Sequence, residues 1–202
     1  MKNPTINNIF TQEDINNIVK KCNEKFNNEC SNLSLFGKKI YFSQKLVQNY
    51  SIDFWNMGSL ENKDLHKNNR HSYYNIKPCN NTLMSNRCTN CTQHTFEINV
   101  RNTVRDICAY RLQSIKFFKI AIENANEKSD NIKVWKTEDY STKRQRNELI
   151  KIRFQENEVD YLIILKENGD IYYFVTAYLV FEQREKNDLD KEYNSRDSKK
   201  IK

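Results

Sequence analysis

Apolar positions recur with two different periods along the chain. Behind Thr11-Gln-Glu-Asp, where a carboxylate follows a hydroxyl by three residues as in a capping box, Ile15, Ile18, Val19, Cys22, Phe26 and Cys30 step by three or four. That stripe predicts an N-terminal helix with Cys22 and Cys30 acting as small core hydrophobes. From Leu33 to Gly58 the period shortens, and Ile40-Tyr-Phe42 and Ile52-Asp-Phe-Trp55 predict one or two short strands. Residues 61–95 carry almost no periodicity, so apolar burial alone cannot order them. A second stripe, Val104, Cys108, Arg111, Ile115, Phe118 and Ile122, spaced four, three, four, three and four, predicts a long helix from about Ile98 to Asn124.

Beyond a polar break at Glu127–Asn131 the pattern turns to strands: Ile132–Trp135, Leu149–Phe154, Asp160–Lys166 and Ile171–Phe181. Asn168-Gly169 between the last two is a strong hairpin signal, because both residues accept positive φ. A two-residue loop there sets Lys166 opposite Ile171 and Tyr161 opposite Thr176. Strict alternation then places Tyr172, Phe174, Thr176, Tyr178 and Val180 on one face. From Glu182 the dense alternating charge predicts a solvated helix or tail.

Composition narrows the classes. A chain of 202 residues holds one or two domains, and three Gly with two Pro exclude collagen-like, linker-like and mucin-like readings. No apolar run approaches the roughly 18–20 residues that cross a bilayer, and Met1–Phe10 lacks a basic-then-apolar leader, so a cytoplasmic, membrane-free protein is expected. Thirty-three Lys and Arg against 26 Asp and Glu leave a formal charge of +7, which favours a polyanionic partner. Six cysteines without a leader point to reduced thiols, either in a core or on a metal.

Several clusters carry candidate chemistry. Cys79-x8-Cys88-x2-Cys91-x2-His94 offers four N/S ligands for a closed, structural zinc site that would order the unperiodic stretch, with His66 or His71 as substitutes for His94. The competing reading is a chance Cys pair among scattered thiols. Arg111, in an apolar stripe, demands either a carboxylate partner or an anionic ligand such as phosphate. Thr176 and Tyr178 put two hydroxyls on one strand face, as donors or as plain β-formers. Lys143, Arg144, Arg146 and Arg153 suit a phosphate backbone or a solvated loop. Walker, GxGxxG, GxSxG and HExxH motifs are absent, which removes nucleotide-driven, serine-hydrolase and zinc-protease readings.

Five segments together resemble a family. Asp160-Tyr-Leu-Ile-Ile-Leu, Tyr173-Phe-Val-Thr-Ala-Tyr178, Leu189-Asp-Lys-Glu-Tyr193, Arg105-Asp-Ile-Cys-Ala-Tyr-Arg111 and Asp53-Phe-Trp-Asn56-Met resemble the phage P1-related proteins of the barnase, EndoU, colicin and RelE-like (BECR) nuclease group, over roughly residues 35–193. The resemblance implies an α+β fold in which N-terminal helices pack on a small antiparallel sheet ending in a β-hairpin, here with an irregular Cys/His-rich insertion at 61–95. The domain plan that follows is a helix at 1–34, one nuclease domain at 35–193 and a charged tail at 194–202. It further implies metal-independent RNA cleavage by a phage or mobile-element toxin or defence factor, with no catalytic cofactor and an immunity or antitoxin protein as partner. By position, Arg111 would clamp the phosphate, Thr176 and Tyr178 would donate hydrogen bonds, and Arg105 would join the basic RNA-binding set. Asn56 stands where the family has histidine. Either the relative only binds, or the histidine was replaced to silence a toxic nuclease, or His66 or His71 serves instead. The alternative function is a non-catalytic, zinc-stabilised nucleic-acid-binding or antitoxin-like module.

Overall fold

The computed structural model describes residues 12–61, 97–100, 102–139, 147–181, 183–195 and 199–201. In chain order its elements are α1 (Gln12–Glu29), β1 (Ser34–Leu35), β2 (Lys38–Tyr41), β3 (Leu46–Val47), β4 (Tyr50–Ser51), α2 (Ile52–Gly58), β5 (Ser59–Glu61), β6 (Glu97–Val100) and β7 (Thr103–Ile107). There follow α3 (Ala109–Ser114), α4 (Lys116–Glu127), β8 (Ile132–Asp139), β9 (Asn147–Glu156), β10 (Val159–Asn168), β11 (Ile171–Leu179), α5 (Gln183–Asn194) and β12 (Lys199–Lys200). The fold is mixed α+β, and its contacts gather into two units, Met1–Phe26 with Gln44–Ile115, and Asn27–Ser43 with Lys116–Lys202.

In the first unit α1 buries Ile15, Val19 and Phe26, with the Phe26 ring 5.8 Å from Phe54 of α2. Cys22 on α1 is half-buried, and burial pushes its thiol up to about 11 against the opposing charge of Lys25, which disfavours the thiolate. The stretch expected as strand at 52–55 is instead α2. Ser51 caps it, its Oγ accepting from Asp53 N at 3.2 Å, and Ile52, Asp53, Phe54, Trp55, Met57 and Gly58 are all buried. A helix of 7 residues, buried at all of them but Asn56, is too short to show a 3.6-residue period and so reads as a strand.

The long helix expected from Ile98 is also corrected. Glu97–Val100 and Thr103–Ile107 pair as the β6–β7 hairpin, with β7 pairing β5 as well, and helix begins only at Ala109. Asn102 turns the hairpin at φ 62°, a conformation asparagine tolerates without a glycine to advertise it. Ile98 and Val100 alternate into the core, while Val104, the first member of the expected stripe, is 40% exposed.

The second unit is built on a seven-stranded sheet in the order β1-β2-β11-β10-β9-β8-β12, antiparallel throughout except where β2 runs parallel to β11. β8 to β11 match the four predicted strands. One face carries α4, whose Phe117 and Phe118 rings lie 5.9 Å from Tyr161 and 5.8 Å from Phe174. The other carries α5 over a core of Trp135, Leu162, Val180 and Leu189. The predicted hairpin forms, but its loop is Gly169-Asp170, since Asn168 pairs with Ile171. The register then slips between Ile164 and Leu165, leaving Val175 unpaired, so Thr176 faces Ile164 and Tyr161 faces Leu179 rather than Thr176. That bulge reverses the alternation. Tyr172 and Phe174 point to the α4 face with Ala177 and Leu179, whereas Thr176 and Tyr178 point to the α5 face.

Candidate functional site

The first unit gathers three of the expected site residues around the C-terminal end of α2. The last carbonyls of a helix have no acceptor role within it and carry the negative end of its dipole, so they attract cations. Arg111 on α3 answers them: its Nε donates to Met57 O at 2.9 Å and its Nη2 to Asn56 O at 3.1 Å. Arg105 on β7 donates from Nε to Ser59 Oγ at 2.8 Å and from Nη2 to Ser59 O at 3.2 Å. The Asn56 side chain, half-buried, donates to Asp53 Oδ1 at 3.4 Å.

Two local features fix this arrangement. Cys108 ends β7 and begins α3, its N–H bonding Gly58 O at 2.9 Å and its Sγ accepting from Arg111 N at 3.5 Å. Gly58 permits close approach of the two helices, since a Cβ there would lie 2.4 Å from Leu112 Cδ2, and Leu112 is itself fully buried. The outcome is a rigidly mounted guanidinium beside an amide, with a second guanidinium next to the same helix end. Each guanidinium already spends its Nε and Nη2 donors on oxygens at the end of α2, Met57 O and Asn56 O for Arg111 and Ser59 Oγ and O for Arg105.

Thr176 and Tyr178 lie in the second unit. They share one face, as expected, and Tyr178 Oη donates to Glu185 Oε1 of α5 at 2.8 Å. Their side chains stand on the row Thr176, Ile164, Lys151, Trp135 and the row Tyr178, Leu162, Arg153, Lys133 across the sheet.

Arg153 is not a surface contact for nucleic acid. It is 1% exposed and bidentate to Asp160, with Nε to Oδ1 at 2.8 Å and Nη2 to Oδ2 at 2.7 Å, while Nη1 reaches Asp190 at 3.0 Å. Burial alone would lower its affinity for the proton; the hydrogen bonds and charge of Asp160, then Asp190, outweigh that and hold it above the ordinary guanidinium value. Asp190 is held below the usual carboxylate range, chiefly by its hydrogen bond from Lys133 at 2.8 Å, with the charge of Arg153 adding to it. Lys151 grips Glu192 at 2.7 Å and the Trp135 indole donates to the same carboxylate at 3.0 Å. Thus the charge-dense segment after Glu182 is a helix fastened to the sheet by ion pairs.

A further cluster escaped the sequence pattern. Glu167 on β10 accepts from Lys38 of β2 at 2.7 Å and from Lys136 of β8, and the two lysines overcome burial to hold its carboxyl below the usual range. Burial, followed by the charge of Glu167, raises the Tyr172 hydroxyl. Only the observed register brings strands so far apart in sequence to one carboxylate.

Lys143, Arg144, Arg146, Cys79, Cys88, Cys91, His94, His66 and His71 lie outside the described residues. Among the described residues there is no cluster of three or more His, Cys, Asp or Glu that would hold a metal, and no helix long and apolar enough to cross a membrane. Compared with known proteins, the chain matches no family model, no curated protein and no solved structure.

Proposed function

We propose that this chain is an endoribonuclease of the BECR type, a phage or mobile-element toxin or defence factor acting on RNA in the cytoplasm. The observation that carries the reading is Arg111, mounted on the end of α2 beside Asn56, so that two separate blocks of the family resemblance meet at one place. The antiparallel β8–β11 order with α4 packed on one face is in keeping with the helix-on-sheet plan the family implies. In the proposed reaction a base removes the ribose 2′-OH proton, the oxygen attacks the adjacent phosphate, and the 5′-oxygen leaves. Arg111 would stabilise the charge that develops on the non-bridging oxygens, and no metal is required for this chemistry. Arg105 holds the substrate backbone beside it in this reading, and the expected basic run Lys143, Arg144 and Arg146 adds to the attraction for a polyanion.

An amide takes no proton near neutral pH, so Asn56 can orient a substrate hydroxyl but not deprotonate it. Asn56→His is therefore expected to raise cleavage of bulk RNA in chelator-containing buffer, and Arg111→Ala on that background to lower it by roughly a hundredfold or more. If neither the natural chain nor Asn56→His yields products while circular dichroism shows both folded, the enzyme reading is wrong. The second reading, favoured by the same Asn56, is a non-catalytic RNA-binding or antitoxin-like module. Salt-dependent RNA binding without products would select it. Zinc near one equivalent per chain, measured on protein purified without chelator, would support the Cys/His cluster as its structural staple.

A further inference from the structure

The sheet of the second unit has a face that α5 does not fill. β2 and β11 run parallel with Lys39 opposite Ile171, Ile40 opposite Tyr172 and Tyr41 opposite Tyr173. Ile40 and Tyr172 are buried toward α4, so alternation sends Lys39, Tyr41, Ile171 and Tyr173 to the other side. Lys166 of β10, opposite Tyr173, joins them on that side. There the Tyr41 and Tyr173 rings meet edge to face with centroids 5.3 Å apart, and Tyr41 stays 39% exposed. Val175, the bulged residue, is 41% exposed next to them.

Tyr41 is exposed and Tyr173 half-buried, so the pair leaves aromatic surface open to solvent, and the lysines around it are of one sign. Lys38, one residue before Lys39, is neutralised by Glu167 on the opposite face, whereas Lys39 and Lys166 have no carboxylate partner among the described residues. An aromatic pair lying on a sheet and bordered by unpaired ammonium groups is the arrangement that stacks unpaired bases and tracks their phosphates. A duplex hides its base faces, so only a single strand can use it.

We infer that the Tyr41–Tyr173 face is a stacking platform for single-stranded RNA, with Lys39 and Lys166 on the backbone phosphates. The inference rests on RNA as the partner in the reading above, and not on cleavage. It names the form of RNA that the protein takes, an unpaired stretch of at least two bases.

Fluorescence anisotropy of the full chain with a labelled single-stranded RNA and with its blunt duplex tests it, alongside cleavage of the same strand. Tyr41→Ala should weaken single-strand binding roughly tenfold and leave duplex binding unchanged, because stacking is lost with one base. Tyr41→Phe and Tyr173→Phe, which keep the ring, should bind within about twofold of the natural chain. Lys39→Ala should flatten the dependence of log affinity on log salt by about 0.7 for one lost phosphate contact. The platform is overturned if Tyr41→Ala and Tyr173→Ala bind the single strand as the natural chain does, if they lose duplex binding equally, or if the natural chain binds no single strand. A poly-glutamate chain that competes with full strength, and loses that strength in Tyr41→Ala, also overturns it in favour of an acidic protein partner. Cleavage that persists in Tyr41→Ala with unaltered binding removes the platform alone. Selective loss of binding in a chain that never cleaves removes the enzyme reading alone.

Discussion

Arg111 and Arg153 show how differently two arginines can be used. In the first unit, Arg111 spends two of its donors on the carbonyls that end α2, neutral acceptors that orient a cation. In the second, Arg153 is enclosed between Asp160 and Asp190 and ties β9, β10 and α5 together. The sequence suggests a carboxylate or an anionic ligand for Arg111 and a phosphate backbone or a solvated loop for Arg153; for Arg153 the structure gives a buried ion pair instead. What decides is the register across the sheet, where Arg153, Leu162 and Tyr178 form one row beneath α5, with Asp160 two residues along β10 from Leu162. A helix stripe says which residues share a side. It does not say what stands opposite.

The sharpest way to break this contrast is to remove the carboxylate from Arg153 and, separately, the Arg111 guanidinium itself. Asp160→Ala should cost about 3–5 kcal/mol, because it strands a buried guanidinium, and urea denaturation would read it as a lower midpoint. Arg111→Ala should cost far less, since it deletes the cation together with its desolvation; equal losses would erase the distinction. Gly58→Ala comes next, at about 1–3 kcal/mol, because the new methyl meets the buried Leu112. A double-mutant cycle with Leu112→Ala should show strong coupling, and independence would mean that the α2–α3 approach is looser than it looks. Ser51→Ala should cost about 1 kcal/mol through loss of the α2 cap, visible as a small shift in thermal midpoint.

The smallest expected effect is in pH. Glu167 and Asp190 are both held below their ordinary values, so their contribution is complete above the usual carboxylate range and is lost as pH falls through it toward the folded values. Both belong to the second unit. Denaturation between pH 6 and pH 3 should therefore show a decline that Lys136→Met and Lys133→Met each flatten; an unchanged slope in both variants would remove the carboxylates from that account.

Much of the fold was readable because period and position agreed. The α1 stripe and the four strands β8–β11 each repeat long enough for one face to declare itself, and Asn-Gly marked the β10–β11 turn to within one residue. Three features defeated the same logic. α2 is short and buried at every position but Asn56, so no polar face set its period. The β6–β7 turn relies on Asn102 at positive φ, without glycine or proline to punctuate it. The Val175 bulge left Thr176 and Tyr178 together but moved them to the opposite face from Phe174. Of the candidate site, the meeting of Arg111 with Asn56 was legible only through the family resemblance, since nothing local in either segment points to the other. Arg105 entered only as a basic RNA-binding residue, and nothing in the sequence announced its contact with Ser59. The Lys38–Glu167–Lys136 cluster unites residues 98 and 31 positions apart along the chain in a register no turn residue announces.

Val175 also makes β11 an unusual place for a deletion. With that residue taken out, Ile171-Tyr-Tyr-Phe would run straight into Thr176-Ala-Tyr-Leu179 as a strictly two-sided ribbon, with Phe174, Ala177 and Leu179 still on the α4 face. Most single-residue deletions inside a central strand turn the remainder inside out; this one would straighten it. The residue is a spacer whose loss the fold can absorb, and whatever it contributes lies in the extra coil it winds into the sheet beside Tyr173.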